Sequence, residues 1–449
     1  NYITVSTTFK DLNLSPSLQK ALDELGIVHP TPIQEESFPV IMSGRDVVGI
    51  AQTGTGKSYA YALPVLRLLP YSRQVNPRAL IIVPTRELVV QVVSEIEKLC
   101  TLNDMRILGV YGGTNINTQK KAVVEGCDVL VATPGRLYDL AVSHVLQLKN
   151  IQKLVIDEVD VMLDLGFRFQ LVNILDILPK KHQNILFSAT MTDEVSSMIS
   201  EFFNNPIKIS VAKSGTPLVN IQQYRYNVPN YYTKQNLIIH LLEDVETYEK
   251  TLIFVPNKRI ADRLFAVVDK TFPDQASVIH SNKTQNYRLN SIEAFETGEH
   301  RIMIATDVMA RGLDIDDISH VINMDTPSYP ENYLHRIGRT GRAEKKGTAL
   351  VLTSESEVEW LKTIEELMET KVDTIEMTND VEISKELAPE EQQKPVEIYN
   401  PLKKEPSKGK AFHEKKDKNR KRNEGGSYKR KIEKKYKKPK TRGQKRKGK

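Results

Sequence analysis

Cysteine, tryptophan and long apolar runs are all scarce in this chain. Its 449 residues include 2 cysteines and 1 tryptophan. Cys100 and Cys127 exclude a disulfide framework, and neither has the CxxC or Cys/His spacing of a zinc site, so we expect two buried thiols. No apolar run approaches the roughly 20 residues that span a bilayer, and the first residues lack a basic segment followed by an apolar one. These absences predict a soluble, cytoplasmic protein without a membrane partner.

Charge is distributed unevenly along the chain. The formal net charge is +6, yet residues 403–449 hold 23 Lys or Arg against 5 Asp or Glu, a net charge of +18. Residues 1–402 hold 40 against 52 and carry −12. The basic segment is nearly free of aliphatic residues and cannot bury enough apolar surface to offset its ordering entropy, so we predict a disordered tail. Such a tail can bind nucleic-acid phosphates by counterion release, or simply keep the protein in solution.

Short runs rich in Val, Ile and Leu alternate with longer stretches that have helical spacing. This alternation is typical of parallel sheets covered by helices on both faces. It starts again after a polar stretch at 211–218, so we predict an α/β fold of two tandem doubly wound domains, residues 1–210 and 219–375. An acidic linker, 376–402, would lead to the tail. The candidate strands are Asp46–Ile50, Ala79–Val83, Asp128–Val131, Lys153–Ile156, Asn184–Phe187, Thr251–Val255, Ser277–His280, Arg301–Ala305, His320–Asn323 and Thr348–Leu352.

A glycine-rich loop, AQTGTGKS at residues 51–58, follows the first candidate strand and precedes a helix predicted to start near Lys57. Glycines let such a loop point its amides at phosphate, the lysine reaches the β and γ phosphates, and Ser58 offers an oxygen to Mg²⁺. Taken alone, the loop could also be an ordinary glycine-rich turn. The pattern favours a nucleoside triphosphate site.

An acidic pair follows the candidate strand that ends at Ile156. Asp157 and Glu158 would lie at the carboxyl end of that strand, where doubly wound sheets bind their ligands. Asp157 would hold Mg²⁺, and Glu158 would orient or deprotonate the attacking water. A solvated acidic turn is the alternative. With the glycine-rich loop upstream, the pair predicts hydrolysis of a nucleoside triphosphate.

Three arginines recur in the segment HRIGRTGR at residues 335–342. Arg336, Arg339 and Arg342 would share one face if the segment were helical. Arginines supplied by a second domain can stabilise charge on a γ phosphate, which would make hydrolysis depend on domain closure. Such a run can equally be a surface or RNA-binding face.

Taken in order, these motifs resemble those of the DEAD-box ATP-dependent RNA helicases of superfamily 2, over about residues 9 to 365. The chain looks like the bacterial RhlE-like branch, with DEVD in place of DEAD. The resemblance implies two RecA-like domains that use ATP and Mg²⁺. The matching segments are Phe9, Thr31 to Gln34, AQTGTGKS (51–58), PTRELVVQ (84–91), Gly112-Gly113, TPGRL (133–137), DEVD (157–160), SAT (188–190), LIFVPNK (252–258), Gln285 to Arg288, ATDVMARGLDI (305–315) and HRIGRTGR (335–342).

The resemblance also implies a role for each matching residue. Phe9 would stack on adenine, Gln34 would pair with its edge, and Asp314 would contact ribose. The nucleotide-binding residues would be Phe9, Thr31, Gln34, Ala51, Gln52, Thr53, Gly54, Thr55, Gly56, Lys57, Ser58 and Asp314, with Ser58 and Asp157 holding the metal. The catalytic residues would be Lys57, Asp157, Glu158, Arg339 and Arg342. Asp160, Ser188, Thr190 and His335 would couple hydrolysis to RNA binding, with Ser188 and Thr190 bonded to the DEVD acid. The RNA-binding residues would be Arg86, Gly113, Thr133, Arg136, Arg288, Thr306 and Asp307.

By this resemblance, the chain would couple ATP hydrolysis to local unwinding or remodelling of RNA, as a monomer working in ribosome assembly or RNA turnover. Contacts to phosphate and 2′-OH would make RNA binding largely sequence-independent. An ATP-gated RNA clamp without productive unwinding would need the same motifs and stays open. Three positions depart from the family pattern. Val159 should pack behind the acidic pair, while Pro256 and Ser281 should tune the grip on RNA.

Overall fold

This computed structural model describes residues 7–52, 54–102, 104–211, 220–307, 315, 317–341 and 346–392. Several predictions fall outside this part of the chain. They are the roles of Thr53, Asp314 and Arg342, the linker at 212–218, residues 393–402 and the basic tail at 403–449.

Helices and parallel strands alternate through the first half. Its helices are α1 (Pro16–Glu24), α2 (Pro32–Met42), α3 (Lys57–Leu68), α4 (Arg86–Leu99), α5 (Ile116–Glu125), α6 (Pro134–Val142), α7 (Val159–Asp164), α8 (Arg168–Ile177) and α9 (Asp193–Phe202). Its strands are β1 (Val47–Ile50), β2 (Ala79–Ile82), β3 (Ile107–Val110), β4 (Val129–Ala132), β5 (Lys153–Ile156), β6 (Gln183–Ser188) and β7 (Ile207–Ser210).

These seven strands form one sheet in the order β3-β4-β2-β5-β6-β1-β7, with parallel pairing throughout. The central strands are continuously apolar because helices cover both faces of the sheet. Alternate side chains of β5 show this, since Val155 joins one apolar cluster while Leu154 and Ile156 join the other. The predicted sheet class is therefore confirmed for this half.

Asp128, just before β4, ties the starts of three neighbouring strands together. Its carboxylate accepts hydrogen bonds from Arg78 Nη2 at 2.8 Å and from Arg106 Nε at 3.0 Å. Burial acts to raise the pKa of Asp128, but the hydrogen bonds from Arg106 and Arg78 outweigh it and lower that pKa. The starts of these strands are thus joined by a buried carboxylate that pairs with two arginines.

The second half repeats the alternation. Its helices are α10 (Tyr231–Glu243), α11 (Lys258–Thr271), α12 (Gln285–Glu296), α13 (Pro330–Ile337) and α14 (Val358–Met368). Its strands are β8 (Ile221–Asn227), β9 (Thr251–Val255), β10 (Ala276–Ile279), β11 (Ile302–Thr306), β12 (His320–Asn323), β13 (Gly347–Thr353) and β14 (Asp373–Thr374). The sheet order is β10-β11-β9-β12-β13-β8-β14, again parallel. Counted from the first strand of each half, the two orders are identical.

Residues 376–392 differ from the acidic linker that composition suggested. They pack against α10 and α11, where Val381 and Ala388 are buried among the apolar residues of this half. Asn230 Nδ2 donates to the Ser384 carbonyl at 2.6 Å, and the backbone N–H of Tyr231 donates to Glu391 Oε1 at 2.7 Å. Two apolar side chains and this hydrogen bonding fix the segment despite its charge. We call residues 376–392 the C-terminal strap.

The helices also bear on the membrane prediction. Among the described residues, no helix is both long enough and apolar enough to cross a bilayer.

Candidate active site and nucleic-acid interface

The glycine-rich loop lies between β1 and α3 and is fixed by the start of α2. Thr31 Oγ1 donates to the Thr55 carbonyl at 2.8 Å, and Gln34 Nε2 donates to the Gly56 carbonyl at 2.9 Å. Gly56 has a φ of +81° and caps α3, which begins at Lys57 as predicted. A Cβ at Gly56 would collide with the Gln34 amide. The loop conformation therefore requires glycine at this position.

Gln34 has a structural role that the adenine prediction did not include. Its Oε1 accepts from the Thr31 backbone N–H at 2.9 Å, which closes a capping box on α2. A carboxamide has two donor hydrogens and two acceptor lone pairs, so one of each remains available for an adenine edge. Phe9 is placed differently from the prediction, because its ring is fully buried in the apolar core with Leu18 and Leu22 and presents no open face.

Lys57, Asp157 and Glu158 meet at the carboxyl end of β5. Lys57 Nζ lies 3.9 Å from Asp157 Oδ1, with both side chains buried. Glu158 adopts a left-handed backbone conformation, with φ +54°, as β5 turns into α7. Burial raises the pKa of Asp157 to about 6, against the opposing charge of Lys57 and with the added repulsion of Glu158. Val159 is fully buried behind the pair, as expected.

Three buried charged atoms in this cluster have no hydrogen-bond partner in the described structure: Lys57 Nζ, Asp157 Oδ1 and Glu158 Oε2. An unsatisfied buried charge costs at least about 1–3 kcal/mol, so the cluster suits a bound polar ligand. No group of three or more His, Cys, Asp or Glu forms a metal cage among the described residues. Mg²⁺ would suit such a site, because it is commonly bound by one or two carboxylates together with phosphates and water, and Asp157 is a carboxylate that could serve.

Asp160 joins motifs from both halves of the chain. Its Oδ2 accepts from the Thr190 N–H and from Thr190 Oγ1, each at 2.9 Å, and lies 3.6 Å from His335 Nε2. Burial opposes ionisation, but His335 at 3.6 Å, the charge of Lys57 and the hydrogen bonds from Thr190 hold the pKa of Asp160 well below its usual range. Ser188 differs from the prediction, since its hydroxyl donates to the Thr190 carbonyl at 2.6 Å and not to the acid.

Arg336 and Arg339 of the HRIGRTGR segment do not share a helical face. α13 ends at Ile337, so Arg336 lies in the helix while Arg339 lies in the turn beyond it. Arg336 is fully buried and donates to Asp307 Oδ1 at 2.5 Å and to Asp307 Oδ2 at 2.8 Å, with Asp325 Oδ2 at 3.3 Å. Arg339 Nε donates to the His335 carbonyl at 3.2 Å. Arg336 is therefore an organising residue of the second half.

A cavity of about 500 Å³ brings together most of the predicted RNA-binding residues. The first half contributes Arg86, Gly113, Thr133 and Arg136, and the second half contributes Arg288. Ser281, one of the three departures, also lines this cavity. Thr306 ends β11, and Asp307 lines a neighbouring cavity of about 710 Å³ together with Asp160, Thr190 and His335.

The arginines of the 500 Å³ cavity are held in place by nearby polar groups. Arg136 Nη1 donates to Gln119 Oε1 at 2.7 Å, and its Nη2 donates to the Thr114 carbonyl at 2.9 Å. Arg86 packs directly over Gly113, whose φ is +83°, and any Cβ there would overlap the guanidinium. Braced arginines lose little conformational entropy on binding, which suits recognition of phosphate.

Two residues of this cavity region went unrecognised as site residues from sequence. Glu87 lies in the first turn of α4 and Gln285 at the start of α12. Gln285 Nε2 donates to Glu87 Oε1 at 3.1 Å, and Arg288 Nη1 lies 3.2 Å from the same oxygen. Both residues lie inside matching segments, PTRELVVQ (84–91) and Gln285 to Arg288, but nothing in those segments predicts that the two side chains meet.

The chain matches known families over most of the two sheets. The sequence pattern of the DEAD/DEAH box helicase family matches residues 31–198, and that of the helicase conserved C-terminal domain matches residues 233–344. The DEAD-box ATP-dependent RNA helicase CshA of Bacillus cereus is 38% identical over 370 residues, covering 82% of this chain and 70% of that protein. CshA of Bacillus subtilis is also 38% identical over 370 residues, covering 82% and 74%.

Solved structures with the same fold hold RNA and a nucleotide or its analogue. S. cerevisiae Dbp5 bound to RNA and ADP-BeF3 has a TM-score of 0.76 at 28% identity, covering 82% of this chain and 95% of that one. Mss116p bound to ssRNA and AMP-PNP has a TM-score of 0.77 at 26% identity, covering 84% and 81%. These likenesses support tandem RecA-like domains.

Proposed function

This chain belongs to the DEAD-box family of ATP-dependent RNA helicases, which hydrolyse ATP, and from that premise we propose that it couples hydrolysis to local unwinding or remodelling of RNA. One observation carries the proposal. Asp160 follows the acidic pair of the first half and contacts both Thr190 and, from the second half, His335. A change at the phosphate site can therefore alter how the two halves meet.

In the proposed reaction, the loop at 51–58 and the N-terminus of α3 bind the phosphates, with Lys57 against the β and γ positions. Ser58 and Asp157 would hold Mg²⁺, which when bound would neutralise phosphate charge. Glu158, whose Oε2 is buried without a partner in the described structure, orients the attacking water and takes its proton. Gln34 reads adenine while it holds the loop through Gly56.

The RNA lies, in this proposal, along the 500 Å³ cavity. Arg86, Arg136 and Arg288 contact phosphates from both sides of the domain junction. Contacts of this kind position the backbone without reading base identity, which makes binding largely sequence-independent. RNA that spans both halves would favour their closure, and closure would bring the second half to the nucleotide.

The basic segment 403–449, with its net charge of +18, would tether the acidic remainder of the protein to RNA. We further propose a monomer of the cytoplasm that acts in ribosome assembly or RNA turnover, in line with the RhlE-like branch. Removal of residues 403–449 should weaken RNA binding and flatten its dependence on salt. Unchanged affinity at low and moderate salt would remove the tether from the proposal.

Glu158→Gln tests the reaction. This variant keeps the shape of the side chain but cannot accept a proton, so ATP turnover should fall by at least about 100-fold while ATP and RNA binding persist. Glu125→Gln, at an exposed helix end, is the matched control and should turn over ATP normally. Steady-state ATPase retained in Glu158→Gln would contradict the role assigned to Glu158.

Strand displacement separates helicase from clamp. The wild-type protein with ATP should release one strand of a short RNA duplex, whereas an ATP-gated clamp would bind and hydrolyse without release. The clamp has support of its own, because Glu87 joins residues of both halves around the cavity. Equal stimulation of ATPase activity by DNA and by RNA would count against an RNA-specific substrate.

A further inference from the structure

Tyr61 carries a buried hydroxyl to which the proposed reaction assigns no role. It lies in α3, one helical turn after Lys57, so the two side chains leave the same face of the helix. The residue is fully buried, and its ring packs against Phe187 of β6, with the ring centroids 5.8 Å apart. Phe187 in turn packs over Gly49 of β1, where a Cβ would overlap the aromatic ring. This packing fixes the place of the Tyr61 hydroxyl.

The hydroxyl interacts with both residues that are proposed to hold Mg²⁺. Burial raises the pKa of Tyr61 well above its usual value, and the negative charge of Asp157 raises it further, while Ser58 acts in the opposite direction. Burial also raises the pKa of Asp157 to about 6, and the Tyr61 hydroxyl, together with Lys57, acts to lower it. The tyrosine therefore keeps its proton beside the carboxylate and favours the ionised form of that carboxylate.

Two atoms of this pair lack a hydrogen bond. The Tyr61 hydroxyl and Asp157 Oδ1 are both buried without a hydrogen-bond partner within the part of the chain that the structure describes. A buried polar atom without a partner destabilises the fold, and a phenylalanine ring would fill the same space without that cost. A phenolic hydroxyl can donate and an ionised carboxylate only accepts, so the two atoms are complementary. One hydrogen bond between them would satisfy both.

We propose that the Tyr61 hydroxyl donates to Asp157 in the Mg²⁺-bound protein and holds that carboxylate in the orientation that binds the ion. This inference rests on the proposed function. A group that hydrogen-bonds to a metal ligand orients it, and loss of such a group typically weakens metal binding by about 10–100-fold. Tyr61 is thus a positioning residue, which acts through Asp157.

Tyr61→Phe tests the proposal, because it removes the hydroxyl and keeps the ring that packs against Phe187. The affinity of the full-length protein for a fluorescent, non-hydrolysable ATP analogue would be measured with saturating Mg²⁺ and again in EDTA. The ratio of these two affinities reports the contribution of the metal. In Tyr61→Phe this ratio should fall by about tenfold, while the affinity in EDTA stays within about twofold of wild type.

Tyr59→Phe is the matched control. Tyr59 lies in the same helix, but its hydroxyl interacts with Glu95 and not with the acidic pair, so this variant should keep the wild-type ratio. Equal ratios in wild type and Tyr61→Phe would overturn the proposal. An equal loss of affinity with Mg²⁺ and in EDTA would also overturn it, because the hydroxyl would then only support the fold of the site. Wild type whose affinity for the analogue is independent of Mg²⁺ would instead contradict the metal site of the proposed function.

Discussion

Replacement of Arg336 should lower the stability of the second half far more than replacement of a surface residue. Its guanidinium is fully buried over the Phe254 ring, at 5.3 Å to the ring centroid, and forms ion pairs with both Asp307 and Asp325. Burial works against the charged form of Arg336, but Asp325 and Asp307 raise its pKa further above its ordinary value. Arg336→Leu deprives the carboxylates of Asp307 and Asp325 of this counter-charge.

The expected loss of stability follows from the missing positive charge of Arg336. Removal of one partner from a buried ion pair costs about 3–5 kcal/mol, because the remaining charge stays desolvated. Arg336→Lys keeps the positive charge but lacks the planar guanidinium that bonds to both acids. Its loss of stability should therefore be smaller than that of Arg336→Leu. The matched control is Arg263→Lys. Arg263 makes a bidentate contact with Glu390 at 3.1 Å, but this pair is partly exposed and worth about 1 kcal/mol or less.

Urea unfolding monitored by tryptophan fluorescence measures the loss of stability within the second half. Trp360 is the only tryptophan of the chain and lies in α14, within the second half. The midpoint should fall sharply for Arg336→Leu, less for Arg336→Lys and little for Arg263→Lys. If Arg336→Leu and Arg263→Lys shifted the midpoint equally, the account of Arg336 as the charge-balancing residue of this half would be refuted.

Three further predictions concern the first half. Gly56→Ala should abolish ATP binding in equilibrium dialysis, because a Cβ there is strained at φ +81° and meets the Gln34 amide; wild-type affinity would contradict this. Asp128 has a folded pKa below its unfolded value of about 3.9, so its stabilisation is complete above that pH and is lost as pH falls through the folded pKa. Asp128→Asn should therefore flatten the acid limb of the stability curve measured by circular dichroism, and an unchanged limb would exclude Asp128 as its source. Burial raises the pKa of Cys100 to about 11 and of Cys127 to about 12, so iodoacetamide at about pH 8 should modify both only after denaturation; rapid labelling of the native protein would show the burial to be wrong.

The central strands could be predicted because they are buried on both faces. Continuous apolar runs identified β5, β9 and β12 with their observed bounds. The runs missed β3 and β7, which form the two edges of the first sheet and therefore bury only part of their side chains. They also missed β8, where IQQYRYN carries polar side chains between apolar ones. A strand with one solvent-exposed face has fewer apolar residues, so its apolar pattern in the sequence is weaker.

Site residues placed by the local sequence could be predicted, whereas those placed by contacts with distant parts of the chain could not. Lys57 and Asp157 could be predicted, since their spacing from strand ends fixes their place on a parallel sheet. The contact between Glu87 and Gln285 could not, because 198 residues separate them and no local pattern records the pairing. The buried ring of Phe9 and the indirect contact of Ser188 were likewise decided by packing around them.

The repeated strand order has a consequence for nucleotide stoichiometry. In the first half, α3 follows the first strand, and its N-terminus is where we propose that phosphate binds. The equivalent helix of the second half is α10, and there the N–H of Tyr231 already donates to the carboxylate of Glu391 from the C-terminal strap. The N-terminus of α10 is thus already bonded to a carboxylate of the chain itself. One polypeptide should therefore bind a single ATP, although its strand order is repeated.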